Sequence, residues 1–291
     1  MPMDQNPSLE SRLRDAMPTL TRAERQLAAH MLGNFPVSVL GSVAAVARAA
    51  GVSAPTVVRL VQKLGFSGYP EFQAQLHDEL GEKLASPIAK REKWAGTAPQ
   101  DHILGSFAEQ VINNLNATLG QLDPQEFDAV TALLADRDRH IHMLGGRLSH
   151  AIAMYLGTAL KVMRNDVTLL SSLPNTWPPA LLDMRAGDVL VVFDVRRYEP
   201  AMQDAAELAR EQGAVVVLIT DRWMSPAAGV ADHIIACHTE APSAWDSLTP
   251  LLGVVEALLA AMQTRHWQDT SARLTRLETL YERMRVFKRG R

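Results

Sequence analysis

The N-terminal fold is decided by residues 42–66, whose sequence is SVAAVARAAGVSAPTVVRLVQKLGF. Apolar residues recur every three or four positions in two short runs, which predicts two amphipathic helices. Residues 50–53 form a tight turn between them, and Gly51 can adopt the positive φ that such a turn requires. Ser42 and Ser53 are suited to cap the two helices. The pattern predicts a helix-turn-helix, in which the second helix crosses the first.

The outer face of the second helix carries side chains that can contact DNA. Thr56, Arg59, Gln62 and Lys63 are predicted to point away from the apolar face, where they could reach base edges and phosphates. No Asp or Glu occurs between residues 24 and 71, so this part is locally positive although the whole chain has a net charge of −3. A plain helical bundle with a solvated polar face would show the same spacing.

A family resemblance separates these two interpretations. Residues 21–32, TRAERQLAAHML, and residues 42–76 closely resemble the DNA-binding domain of the RpiR family of transcriptional regulators. The resemblance implies that Ser53, Thr56, Arg59 and Lys63 lie on or beside the recognition helix. Together with the other two polar candidates, the predicted DNA-binding residues are Arg48, Ser53, Thr56, Arg59, Gln62 and Lys63.

Length and composition fit one or two globular domains. The chain has 291 residues, of which 47% are apolar and 21% charged. Its one cysteine, Cys237, excludes an intrachain disulfide and fits a reducing cytoplasm. The first fifteen residues lack the apolar core of a signal peptide, and the longest apolar stretch, 248–262, is too short to span a membrane. We therefore expect a cytoplasmic protein with a helix-turn-helix domain over 1–84, a linker over 85–101 and an α/β domain over 102–291.

The C-terminal half alternates short β-branched runs with helical stretches. This alternation predicts a five-stranded parallel sheet flanked by helices, in the strand order of flavodoxin-like folds. The predicted strands are 140–144, 167–170, 189–193, 215–219 and 233–236.

The loop after the first predicted strand, LGGRLS at 144–149, opens a helix and could hold an anion. An ordinary strand-to-helix turn would have the same sequence pattern. The chain from His140 to His266 resembles a sugar isomerase (SIS) domain, which RpiR-type regulators usually carry. The resemblance places the loop at the first phosphosugar-binding position, so the ligand-binding candidates here are Gly145, Gly146, Arg147 and Ser149.

The second ligand loop departs from the family pattern. The resemblance implies a Ser-x-Ser-Gly-x-Thr sequence, whereas residues 193–198 are FDVRRY. Arg196 and Arg197 could clamp a carboxylate or phosphate, with Asp194 accepting from an amine or hydroxyl and Tyr198 beside them. A small carboxylate-bearing metabolite is therefore favoured over a phosphosugar. In the alternative interpretation, one arginine is solvated and the other pairs with Asp194.

These features predict a sequence-specific DNA-binding regulator whose DNA affinity is controlled by a small anionic metabolite. The alternatives are a sugar-phosphate isomerase or phosphosugar-binding protein, and an architectural DNA-binding protein. An isomerase needs a base with an acid partner, and Glu199 and Glu256 have none at identifiable spacing. His140 and His142 share one strand face but lack a third metal ligand, so no metal or cofactor is predicted. We expect a homodimer or homotetramer on a palindromic operator, with apolar residues 251–262 supplying the interface.

Overall fold

The computed structural model describes residues 9–33, 37–84, 87–88, 90–91, 102–265 and 267–287. Its N-terminal part is entirely helical in the described residues. The helices are α1 (Leu9–Ala16), α2 (Arg22–Gly33), α3 (Val43–Ala49), α4 (Ala54–Lys63) and α5 (Tyr69–Leu84).

The predicted helix-turn-helix is formed by α3 and α4, which meet at an angle of 102°. Ser42 caps α3, since its hydroxyl accepts from the amide of Ala45 at 3.2 Å. Gly51 has a φ of +66°, as the turn requires, and the Gln26 side chain donates to the carbonyl of Ala50 at 2.9 Å. A side chain at residue 51 would be strained, so the turn depends on its glycine.

One apolar cluster holds these helices together. Leu27, Val57, Leu60 and Phe72 are fully buried in it. The hydroxyl of the buried Tyr69 donates to the carbonyl of Val39 at 2.6 Å, so its polar end is also satisfied. Each fully buried aliphatic or aromatic side chain contributes about 1.5–3 kcal/mol. Burial of this shared apolar face therefore stabilises helices that are too short to persist alone.

The C-terminal part is a parallel sheet in the order β2-β1-β3-β4-β5, as predicted. The strands are β1 (Ile141–Gly145), β2 (Val167–Leu169), β3 (Val189–Asp194), β4 (Val215–Asp221) and β5 (His233–Cys237). The helices are α6 (Ile103–Gln121), α7 (Pro124–Ala135), α8 (His150–Met163), α9 (Pro178–Leu182), α10 (Pro200–Glu211), α11 (Thr249–Arg265) and α12 (Trp267–Met284).

Two central strands run further than the sequence predicted. β3 continues to Asp194 and β4 continues to Asp221, because Asp194 still pairs with Thr220 in the ladder and Asp221 with Cys237. Two carboxyl groups therefore sit at the carboxyl edge of the sheet. This is the edge where ligands bind in open α/β sheets.

The predicted use of residues 251–262 as an interface is wrong. The apolar face of α11 packs against the protein's own sheet, where Leu251, Val254, Leu258 and Met262 are buried. Most of the predicted linker, 85–101, lies outside the described residues, so the domain boundaries stay predictions. No single helix in the described part of the chain is long and apolar enough to cross a membrane.

Candidate DNA-binding and effector sites

The exposed face of α4 carries three of the predicted DNA-binding side chains. Arg59, Gln62 and Lys63 are exposed, and Arg48 is exposed in the last turn of α3. No acidic residue lies in α3, in the turn or in α4. This face is positive and able to donate hydrogen bonds, which suits the edge of a duplex.

Thr56 does not point outward, contrary to the sequence prediction. The residue is only 4% exposed, and its hydroxyl lies 2.8 Å from that of Ser53 and 3.4 Å from a guanidinium nitrogen of Arg59. Ser53 occupies the N-cap position of α4, but its hydroxyl makes no capping bond there. The two hydroxyls are thus joined to each other, with Thr56 against the start of the helix and within reach of Arg59.

Lys63 is held in an ion pair that the sequence did not predict. Its ammonium group lies 2.7 Å from the carboxylate of Glu24, which is 3% exposed. The same carboxylate accepts from the amide and hydroxyl of Thr21, each at 2.9 Å. The hydrogen bond from Lys63 and those from Thr21 lower the pKa of Glu24 from 4.5 to about 2. Lys63 thus ties α4 to the start of α2.

The effector site is a cavity of about 230 Å³ between two loops at the carboxyl edge of the sheet. The first loop, 146–149, joins β1 to α8, and the second, 195–199, joins β3 to α10. Both segments were predicted to form the site, and the fold brings them together. Of the residues predicted in the first loop, Gly146, Arg147 and Ser149 line the cavity. Of those predicted in the second loop, Arg196, Arg197 and Tyr198 line it. Gly145 and Asp194 lie just below it, at the ends of their strands.

The first loop is tightly bonded to β3. Ser149 is buried, and its hydroxyl donates to the carbonyl of Phe193 at 2.6 Å. A Cβ on Gly145 would lie 2.7 Å from the backbone nitrogen of His150, so only glycine fits there. The hydroxyl proton of Ser149 is therefore engaged in a hydrogen bond within the protein. Contact between Ser149 and a ligand stays a prediction.

Asp194 is buried beneath the cavity and does not pair with an arginine, contrary to the alternative interpretation. One carboxyl oxygen accepts from the hydroxyl of Ser225, and the residue is 1% exposed. Burial raises the pKa of Asp194 from 3.8 to about 7, with the neighbouring Asp221 carboxyl adding to the effect. Direct contact between Asp194 and a ligand therefore stays a prediction.

Arg196 is not half of a two-arginine clamp, contrary to the prediction. Its side chain is 7% exposed, lies 3.4 Å from the carboxylate of Asp246 and stacks 5.4 Å from the ring centre of Trp223. Lys90 reaches the same carboxylate at 2.6 Å. Arg197, by contrast, is exposed at the cavity. Contact between either arginine and a ligand therefore stays a prediction.

Asp221 is a residue of this site that sequence reasoning missed. Its carboxylate accepts from the hydroxyl of Tyr198 at 2.6 Å, the amide of Arg196 at 2.7 Å and the amide of Trp223 at 2.8 Å. Burial raises its pKa, while these donors oppose the rise. Asp221 thus shapes both the second loop and the turn after β4. An acid ending a buried strand was the only sequence signal.

Glu199, which the sequence suggested only as an isomerase base, is a second residue of this site. Its side chain does not cap α10 but crosses the cavity, where a carboxylate oxygen accepts from the amide of Arg147 at 3.0 Å. The same oxygen would lie 3.3 Å from a Cβ on Gly146, so the carboxylate lies directly over the first loop. Glu199 therefore joins the two loops that form the cavity.

The turn after β4 connects the effector site to the helical domain. Trp223 and Met224 pack against the apolar cluster of α1–α5. The ring of Tyr198 meets the ring of His77, on α5, edge to face at 5.9 Å. The second loop thus contacts the DNA-binding domain directly through Tyr198 and indirectly through Trp223.

The remaining candidates are two histidines and the cysteine. His140 and His142 stack at 4.1 Å between ring centres, and burial lowers the pKa of His142. Cys237 is buried, and burial raises the pKa of its thiol. Within the described ranges, no group of three or more His, Cys, Asp or Glu side chains is arranged to hold a metal ion.

Two family models match the chain. Residues 8–83 match the helix-turn-helix domain of the rpiR family, and residues 133–261 match the SIS domain. Among characterised proteins, the chain is similar to the HTH-type transcriptional regulator HexR of Pseudomonas aeruginosa, with 29% identity over 218 residues that cover 73% of each chain.

Solved structures agree with this assignment of the fold. The sugar isomerase domain of an RpiR transcription factor from Sphaerobacter thermophilus superposes with a TM-score of 0.57 at 29% identity, covering 60% of this chain and 97% of that one. The Vibrio vulnificus NanR protein, complexed with ManNAc-6P, covers 95% of this chain and 99% of its own with a TM-score of 0.60. Its identity is 18%, so it supports the fold alone.

Proposed function

Since this chain belongs to the RpiR family of helix-turn-helix transcriptional regulators, we propose that a small anionic metabolite bound between the 146–149 and 195–199 loops controls its affinity for DNA. One observation carries the proposal. The second loop contacts both the cavity and the helical domain, through Tyr198 on His77 and Arg196 on Trp223. A ligand that shifts this loop acts on the DNA-binding domain without a long relay.

We propose that α4 lies in the major groove and that Arg59 and Gln62 contact base edges. Both side chains are exposed on the helix face opposite the buried Val57 and Leu60. We propose that Arg48 contacts a phosphate of the DNA backbone. Lys63 contacts another phosphate while it stays paired with Glu24. Ser53 and Thr56 then act by fixing the start of α4, where their hydroxyls meet.

The metabolite we propose carries a carboxylate. Arg147 and Arg197 are the exposed cations of the cavity, and a guanidinium group binds a carboxylate in a two-point contact. The structural neighbour NanR was solved with ManNAc-6P, a sugar phosphate, and we propose that this chain differs from it in ligand class. The hydroxyl-rich phosphate loop expected of the family is replaced here by FDVRRY, so a different anion is favoured.

We propose that the protein senses this molecule and does not transform it. Burial raises the pKa of Asp194, which is 1% exposed and bonded to Ser225, so the raised pKa does not require a catalytic role. The named relatives are transcriptional regulators, which supports the same conclusion. The site of action is then the cytoplasm, where the DNA is.

We also propose a homodimer. Leu104, Ile112, Met154 and Tyr155 are large exposed side chains on α6 and α8, the helices that flank α11. Exposed apolar side chains concentrated on neighbouring helices are typical of interfaces. A two-fold pair of helix-turn-helix units also matches a palindromic operator.

A thermal-shift screen of small carboxylates and sugar phosphates tests the ligand class. A ligand at one hundred times its Kd stabilises the protein by about 2.7 kcal/mol, which is readily detected. We expect carboxylates to bind, and Arg197→Ala to weaken them by about 1.5–3 kcal/mol in calorimetric titration. Tight binding of a sugar phosphate that Arg197→Ala leaves unchanged would contradict the proposal.

A further inference from the structure

We propose that Glu199 sets the chemical class of the effector: a small acid with one carboxylate and an adjacent amino or hydroxyl group, and not a phosphate monoester. The inference rests on the proposed function, since it concerns the same cavity. It goes further by assigning to Glu199 a role in choosing the ligand.

Glu199 occupies the position where an anion would bind the first loop. Its carboxylate accepts from the amide of Arg147 at 3.0 Å, in the glycine-containing loop that leads into α8. Backbone N–H groups of such loops are common partners of a bound anion. The protein thus supplies its own carboxylate at this point, and a ligand anion cannot use the same amide without displacing it.

Acceptor oxygens crowd the floor of the cavity. A Cβ on Gly146 would lie 3.3 Å from the Glu199 carboxylate, 3.5 Å from the Ser149 hydroxyl and 3.8 Å from the Asp194 carboxyl. That Asp194 oxygen, Oδ1, is buried and has no hydrogen-bond partner among the described residues. The floor therefore favours groups that donate hydrogen bonds.

The exposed cations, Arg147 and Arg197, belong to the same cavity. The cavity has two kinds of surface: guanidinium groups toward solvent and oxygen acceptors below. A phosphate monoester carries a charge near −2, so the guanidinium groups would attract it and the oxygen acceptors below would repel it. An amino or hydroxy acid satisfies both, since its carboxylate meets an arginine and its donor meets Glu199.

The test uses inorganic phosphate as the probe, in calorimetric titration of the full-length protein. Glu199→Gln keeps an oxygen that can accept from the Arg147 amide but removes the negative charge. Asp204→Asn is the matched control, because it removes one charge from an exposed position on the same helix, α10. We expect Glu199→Gln to lower the Kd for phosphate about tenfold or more relative to wild type, and Asp204→Asn to leave it unchanged.

Wild type and Glu199→Gln binding phosphate equally would overturn the inference. Failure of both to bind phosphate at millimolar concentration would also overturn it, because removing the negative charge of residue 199 should remove the repulsion that excludes phosphate. Glu199→Ala repeats the test should the glutamine variant be unfolded. The proposed function is judged separately. If the variant gains phosphate affinity while DNA binding responds to no ligand, Glu199 still selects what the cavity binds, and the proposed control of DNA affinity fails.

Discussion

At the scale of single residues, Lys63 shows that an exposed cation on a recognition helix can also be structural. Its side chain is 43% exposed, yet it pairs at 2.7 Å with a Glu24 carboxylate that is nearly buried. Removing Lys63 would leave that charge without its cation, which costs more than the pair itself contributes. Weaker DNA binding by a Lys63 variant would therefore reflect the lower stability of the helical domain as well as the loss of a DNA contact.

The Glu24 carboxylate makes the stability of the helical domain sensitive to acid. Its pKa is about 2 in the folded protein and near 4.5 when unfolded, so its contribution is complete above pH 4.5 and is lost as the pH falls toward 2. After allowance for the exposure of Lys63, we expect about 1–2 kcal/mol. Urea unfolding should show Glu24→Gln less stable than wild type at pH 6, with the gap closing toward pH 3. A gap independent of pH, or an equal one in the exposed control Glu211→Gln, would contradict this assignment.

Arg59 is the better residue for testing DNA contact, because its substitution leaves no buried charge. Its guanidinium group makes one long contact, 3.4 Å to the hydroxyl of Thr56, and is otherwise exposed. We expect Arg59→Ala to cost about 1–3 kcal/mol of operator affinity and to relax preference at one base pair. Fluorescence anisotropy measures the affinity, and thermal unfolding should stay unchanged. An operator bound equally well by wild type and variant would exclude Arg59 as a base contact.

At the scale of elements, the turn after β4 and the loop after β3 behave as one unit held by Asp221. Three donors converge on its buried carboxylate: the hydroxyl of Tyr198 and the amides of Arg196 and Trp223. Truncating Asp221 would leave these donors unpaired, which costs about 1–3 kcal/mol for each donor that does not bind water instead. The conformation of the second loop therefore depends on a residue in another strand.

Asp221→Ala should consequently destabilise the protein by about 2–4 kcal/mol and abolish effector binding. The matched control is Asp183→Ala, which removes an exposed aspartate of the same domain. Urea unfolding gives the free energy, and calorimetry with a ligand from the screen gives the affinity. Asp221→Ala with normal ligand affinity would show that the loop does not need this anchor.

The elements could be predicted from the sequence because their signals are local. Apolar spacing predicted α3 and α4, and the alternation of strands with helices predicted the sheet order. The side-chain partners could not be predicted, since they are distant in the chain. Arg196 contacts Asp246, and Glu199 contacts Arg147, which lie 50 and 52 residues away. Thr56 was predicted to point outward, but it is 4% exposed and its hydroxyl contacts that of Ser53.

Over the whole molecule, α6 and α8 carry large exposed apolar side chains, whereas the apolar face of α11 is buried. Leu104 is 71% exposed and Met154 is 51% exposed. We expect wild type to sediment as a dimer at micromolar concentration and Leu104→Glu/Met154→Glu to sediment as a monomer with weaker operator binding. Leu182→Glu, at an exposed leucine on α9, is the control. A monomeric wild type with full operator affinity would rule out the dimer.

If a ligand in the cavity controls the affinity for DNA, DNA binding must differ with and without that ligand. Anisotropy on the protein's own promoter region should show a change in Kd of about fivefold or more on saturation with a ligand from the screen. Arg197→Ala should bind DNA normally without ligand and need higher ligand concentrations for the same change, whereas Arg276→Ala, exposed on α12, should match wild type. An identical ligand response in Arg197→Ala, or DNA affinity that no bound ligand alters, would contradict the claim.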